Sequence, residues 1–247
     1  LVQQARAMIA KGKIGPTVFV HGCYLQDWLT DERAYSWRLD PKRGGASSAL
    51  GDIGSHWCDL AEHVTGARIV AVLADLHTAV PTREAPAASA KAFSGATKKA
   101  ARKVKITSED LASVLLRFDN GARGCVTVGQ VLPGHKNDLR LEVSGRLASV
   151  AWRQEQPNDL WIGHHAKANA TLTRDPALLD PAARGYAHLP AGHPEAWADA
   201  FRNLIADAYA WIGRGGTPDT RPVALPTFAD GYRNTLVIDA MLKSHAA

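Results

Sequence analysis

The sequence predicts an α+β domain, a large and mainly antiparallel β-sheet with helices packed on one face. Three observations carry that expectation. Between residues 111 and 163, five short segments rich in Val, Leu and Ile follow one another with only turn residues between them. Strands joined this tightly pair antiparallel, because a parallel crossover needs about a dozen residues or more. Apolar stripes at helical spacing occur before and after that block. The composition is that of a folded chain: 247 residues, 46% hydrophobic and 21% charged, enough to bury a core.

Taken in order, Val2, Ala5, Met8 and Ile9 share one face of an opening helix that Gly12, Gly15 and Pro16 end. Residues 17–24 read as a strand. Residues 25–45 are irregular and carry Trp28, Tyr35 and Trp37. A helix follows from Asp52, with Ile53, Trp57, Leu60, Ala61 and Val64 apolar and Gly66 closing it. Residues 67–80 form the next strand. Residues 81–105 read as a flexible insertion, low in structure signals and rich in Ala, Ser and Lys. The strand block then covers 111–118, 123–131, 139–144, 148–154 and 160–163, with Asp119-Asn120-Gly121 as its strongest hairpin turn, since Asn and Gly tolerate positive φ. Strand character fades after Lys167. Residues 194–214 form a helix expected to bury Trp197, Phe201, Leu204, Ile205, Tyr209 and Ile212. A last helix from Thr227 is expected to bury Tyr232, Leu236, Val237, Ala240 and Met241. The second sheet face needs a cover, and another copy of the chain is the simplest one.

Several function classes drop out early. No apolar run approaches the roughly 20 residues of a membrane-spanning helix, so no membrane partner is expected. Three widely spaced cysteines, Cys23, Cys58 and Cys125, form no CxxC pair, which argues against a zinc ribbon or disulfide framework and for a reducing cytoplasm. The net charge of +5 is concentrated in residues 91–105, where Phe93 is the one aromatic. That segment reads as a solvated basic loop, not a nucleic-acid site. His164 and His165 are sequence neighbours at a strand end and point to opposite faces, so they make poor joint metal ligands. His135 and Asn137 sit in a turn that Gln130 leads into, read as a surface loop. Ser47, Ser48 and Ser55 have no nucleophile-elbow context.

The chemistry concentrates at Asp52 and His56. Four residues apart on a helix, they share a face, and a carboxylate beside an imidazole makes a general acid/base near neutral pH. Gly51 and Gly54 leave room for a close approach. From spacing alone the plainer reading is favoured, with Asp52 as a helix cap and His56 as a packed core histidine.

The stretch GGASSALGDIGSHWCDLAEHVTG resembles the signature of the Gfo/Idh/MocA family of oxidoreductases, in which Asp-x-Gly-x-His-x-x-Asp opens a helix of the C-terminal domain. VHGCYLQDWL, SWRLDP, EDLASVLLRFDNGARGCVTVGQV and AGHPEAWADAF resemble other stretches of that family, so the likeness covers nearly the whole chain. The resemblance implies catalytic roles for His56, as the acid/base on the substrate hydroxyl, and for Asp52, as an orienting carboxylate. It implies a substrate pocket drawing on Tyr24, Gln26, Trp37, Arg38 and His193, although His193 reads equally as an exposed loop histidine. It further implies a sugar or polyol substrate, NAD or NADP as cofactor, and a homo-oligomer formed through the open sheet face. The sequence also departs from the family. It has no Gly-rich phosphate turn after a strand and no Glu-Lys-Pro segment, so residues 1–247 read as a single substrate domain without the nucleotide-binding domain. Such a domain is expected to be inactive alone. Two alternatives stand beside this reading: a non-catalytic oligomerisation domain, and a metal-dependent enzyme using Asp52, His56 and either His21 or His193.

Overall fold

The computed structural model describes residues 1–85, 102–222 and 225–247. Its centre is an eight-stranded sheet. The strands are β1 (Thr17–Leu25), β2 (Ile69–His77), β5 (Leu111–Phe118), β6 (Arg123–Gly129), β7 (Asp138–Gly145), β8 (Ala148–Arg153), β9 (Asp159–His164) and β10 (Ala170–Thr173). Their order is β10-β9-β8-β7-β1-β6-β5-β2. β1 pairs parallel with β6, and every other neighbouring pair is antiparallel. β5 to β10 form a meander interrupted only where β1 inserts between β6 and β7. The turn at Asp119-Asn120-Gly121 connects β5 to β6, with Gly121 at φ 88° and Asn120 Oδ1 accepting from the Ala122 amide.

Alternation along the strands separates two faces. Val20, Leu116, Val143 and Val150 lie on one rung and are at most 2% exposed. Helices α1 (Val2–Ala10), α3 (Ser55–Thr65) and α6 (Phe228–Ala246) cover that face. Trp57 of α3 is fully buried, and its indole N–H donates to the Arg140 carbonyl at 2.8 Å. Gly22 of β1 makes this possible, because a Cβ there would stand 2.8 Å from the Trp57 indole nitrogen. Leu73, Leu115, Cys125, His21, Glu142 and Trp161 form a rung on the other face, which no described helix covers. Leu73 and Leu115 are 63% and 57% exposed.

Four expectations need correction. Strand structure continues past Lys167 into β10, whose sequence ATLT is short and polar but completes its bonds along β9. The edges of the expected insertion pair as a ribbon, β3 (Thr82–Ala85) with β4 (Arg102–Lys105); residues 86–101 lie outside the described residues. The helix α5 (Trp197–Gly213) buries none of its residues, and Trp197, Phe201, Ile205, Tyr209 and Ile212 are all exposed. In α6 the buried residues are Val237, Ile238 and Met241, whereas Tyr232, Leu236 and Ala240 are exposed, because these three, spaced four apart, share a helix face turned away from β2 and α3. Among the described residues no helix is long and apolar enough to cross a membrane.

Candidate active site

The motif around Asp52 folds as a π-helical turn, Leu50–Gly54, running straight into α3. Its entry is fixed from far along the chain. The buried Glu109 carboxylate accepts from the Ser47 hydroxyl and from the amides of Ser48 and Leu50, all between 2.8 and 3.0 Å, which satisfies donors that a helix start leaves free. Ser47 Oγ in turn accepts from the Gly51 amide. Gly54 faces the core: a Cβ there would meet Leu50 at 3.1 Å and Val128 at 3.6 Å, so the space it leaves is taken by packing and not by a ligand.

The wider π turn changes the geometry expected for Asp52 and His56. An α-helix would align residues four apart, but here Asp52 lies in the π turn and His56 in the α-helix that follows. No hydrogen bond or ion pair joins them among the described residues. Asp52 instead accepts from Arg38 Nε through Oδ1 and from Gln130 Nε2 through Oδ2, each at 2.8 Å. Its role as a helix cap, the plainer reading, is thereby replaced by Glu109. His56 is exposed, not packed in the core, and stands edge-on to the Tyr24 ring with centroids 6.2 Å apart.

Tyr24 ends the inward-facing series of β1 and is 7% exposed. Burial raises its phenol pKa, so the hydroxyl stays protonated and donates to Asn137 Oδ1 at 2.6 Å. Gln26 donates to the same oxygen at 3.0 Å and accepts from the Trp28 indole at 2.9 Å. Gln154 reaches the Tyr24 hydroxyl at 3.4 Å and the Asn137 carbonyl at 3.2 Å. The Asn137 amide donates to Glu155 Oε1 at 2.9 Å, and the residue that follows it is Asp138. That fully buried carboxylate binds Arg140, Arg153 and His135. Its desolvation is outweighed by these hydrogen bonds, and its pKa falls to about 2.

The structure therefore brings together Asp52, His56, Tyr24, Gln26 and Arg38. Trp37 joins at the edge, 41% exposed with the Arg38 guanidinium 4.9 Å from its ring centroid. His193 does not join: it is exposed, its ring nitrogen lies 3.3 Å from the Ala191 carbonyl oxygen, and its own carbonyl accepts from Arg174. His21 sits on the opposite sheet face, 3.6 Å from Glu142, because residues 21 and 24 of one strand point to opposite sides. Among the described residues no group of three or more His, Cys, Asp or Glu is placed to hold a metal ion, and Asp52 is already engaged by two donors.

Sequence reasoning missed Gln130, Asn137, Gln154 and Glu109. The signal for Gln130 was present, a lone polar residue closing an apolar strand. It is fully buried and not part of a surface loop. A cavity of about 450 Å³ lies beyond Asn137 and Gln154, walled by α1, the short helix α4 (Pro181–Arg184) and α5; Asp52 and His56 are not in its walls.

Comparison with known proteins places this chain in a family. Residues 2–151 match the model of the GFO/IDH/MocA C-terminal domain. Levoglucosan dehydrogenase of Pseudarthrobacter phenanthrenivorans is 30% identical over 99% of this chain and 62% of its own length. The solved apo form of a levoglucosan dehydrogenase superposes with a TM-score of 0.84 at 29% identity, over 99% of this chain and 61% of that one. An inositol dehydrogenase homolog from Azotobacter vinelandii, solved with NAD+, gives 0.82 at 26% identity over 99% and 60%. The chain thus spans less than two thirds of the length of each of these relatives. With the signature motif, the mainly antiparallel sheet and the family model all in agreement, the chain belongs to the Gfo/Idh/MocA family of oxidoreductases.

Proposed function

We propose that this chain is the substrate-binding and catalytic domain of an NAD(P)-dependent dehydrogenase that transfers hydride between a nicotinamide and the hydroxyl- or keto-bearing carbon of a sugar or polyol. The observation that carries this is the exposed His56 imidazole beside Tyr24, next to a wall of neutral amides formed by Gln26, Asn137 and Gln154. Carboxamides both donate and accept, which suits a ligand whose recognisable groups are hydroxyls. Arg38 is paired with Asp52, so the site holds its positive charge compensated and fits a neutral substrate. Relatives support the substrate class: one levoglucosan dehydrogenase is solved with NADH and levoglucosan, at 28% identity.

During oxidation His56 takes the hydroxyl proton while the C–H electrons leave as hydride, and in reduction it returns the proton. Tyr24 holds the ring edge-on, and Asp52 with Arg38 orients the polyol. Nicotinamide, when bound, accepts or supplies the hydride. This chain carries no Gly-rich strand-turn-helix to cradle a pyrophosphate, so the same proposal assigns the phosphates to a nucleotide-binding domain outside residues 1–247. The open sheet face, with Leu73 and Leu115 exposed, is covered by a second copy in the same proposal. The setting is a reducing cytoplasm, consistent with three free cysteines. The test is nicotinamide-linked turnover, with the nucleotide domain restored ahead of this chain and a panel of sugars and cyclitols. Turnover with a neutral polyol is expected; activity confined to phosphorylated or carboxylated compounds contradicts the reading.

A further inference from the structure

Asp52 and His56 do not touch, yet one reaction needs them in fixed relation. A continuous set of directional contacts joins them. From Asp52 Oδ2 it passes to Gln130 Nε2 at 2.8 Å, and from the same nitrogen to Gln26 Oε1 at 3.5 Å. Gln26 Nε2 and the Tyr24 hydroxyl then share Asn137 Oδ1, and the Tyr24 ring abuts His56. Gln130 is the joint of this series. It is 0% exposed, its amide donates to the Asp110 carbonyl at 3.0 Å, and its own carbonyl accepts from Leu29 at 3.0 Å. The main chain is pinned on both sides and the side chain is enclosed, with its carboxamide directed at Asp52. The orientation of its carboxamide follows from chemistry, since the atom facing a carboxylate oxygen must be the donor. Its Oε1 is buried and has no hydrogen-bond partner among the described residues, so the residue does not earn its place as a satisfied core amide.

We propose that Gln130 is a positioning residue for the dehydrogenase reaction, an inference that rests on the function proposed above. It stops the Asp52 carboxylate from turning onto Arg38 alone, and it ties that carboxylate to the Tyr24 side of the site. Arg38 by itself leaves Asp52 free to rotate about its terminal bond; a second donor on the other oxygen removes that freedom.

The test compares Gln130→Met and Gln130→Glu with the wild type in the enzyme carrying its nucleotide domain. Gln130→Met keeps length and volume but removes both the donor and the unpartnered acceptor. Its kcat is expected to fall about 10- to 100-fold, with nucleotide affinity unchanged and the thermal midpoint unchanged or higher. Gln130→Glu faces Asp52 with a second carboxyl, which donates only while protonated. Its activity is expected to recover as pH falls, a recovery absent from both wild type and Gln130→Met. Wild-type kcat in Gln130→Met, or a loss matched by a lowered midpoint, overturns the proposal. Asp52→Asn and His56→Ala run as controls: if both keep wild-type turnover, the proposed function fails instead, whereas their loss beside an active Gln130→Met refutes only the role of Gln130. A readout independent of turnover is side-chain amide NMR of this chain. The Gln130 carboxamide resonance shifts in Asp52→Ala if the contact holds, and an unshifted resonance overturns it.

Discussion

Helices α3 and α5 are written in the same code and end in opposite circumstances. Each carries a helical-period apolar stripe. α3 buries Trp57, Cys58, Ala61 and Val64 against the sheet, and its entry is pinned by Glu109 and by Asn234, whose side chain donates to the Ser55 carbonyl. α5 buries nothing, and its polar ties run from Asn203 and Asp207 to the loop bearing Tyr186 and His188. An apolar stripe states which side of a helix must be covered. It does not state by what, and in α5 none of the described residues covers Trp197, Phe201, Ile205, Tyr209 or Ile212.

The largest effect that would sharpen this contrast is a truncation in each helix. Trp57→Ala is expected to destabilise the chain by about 3–5 kcal/mol, whereas Ile205→Ser stays within about 0.5 kcal/mol. Chemical denaturation of both variants checks it, and an equally large loss in Ile205→Ser would show that α5 is packed in solution. Next in size, Glu109→Ala leaves the buried Ser48 and Leu50 amides without an acceptor and should cost about 1–3 kcal/mol. Hydrogen exchange should show the loosening confined to residues 47–56; unchanged exchange there would break the claim that a distant carboxylate holds the π turn.

The smallest effects are in pH. Burial, followed by the nearby Arg6, lowers the His63 pKa from 6.5 to about 4, so the folded state keeps this imidazole neutral. Its share of stability is complete above pH 6.5 and is lost as pH falls towards 4, because the unfolded chain takes up the proton first. Asp138, lowered from 3.8 to about 2, keeps its share above pH 3.8 and loses it as pH falls towards 2. A thermal-unfolding series should show two successive losses on acidification. His63→Gln should flatten the upper step and Asp138→Asn the lower one; a profile unchanged in either variant contradicts the assignment.

Legibility in the sequence followed the range of the interactions. β5 to β8 were readable because their alternation and the Asn120-Gly121 turn are local. The insertion of β1 between β6 and β7 was not, since pairing Val20 with Gly124 and Val143 involves residues more than a hundred positions apart. At the site, the motif located Asp52 and His56 but assumed an α-helical turn between them. The π turn, set by Glu109 from outside the motif, gives Asp52 to Arg38 and Gln130. Gln130 and Asn137 read in the sequence as part of a surface loop, because nothing local marks their depth; the folded register buries one beneath the site and bonds the other to Tyr24. His193 matched by its surroundings in the chain, yet the fold leaves it in an exposed turn.

The most direct measurement of the central claim is the turnover of Asp52→Asn and His56→Ala in the enzyme with its nucleotide domain, with nucleotide binding measured separately. The account predicts that each lowers kcat by about 100-fold or more while nucleotide affinity stays unchanged. Wild-type kcat in both variants would contradict it.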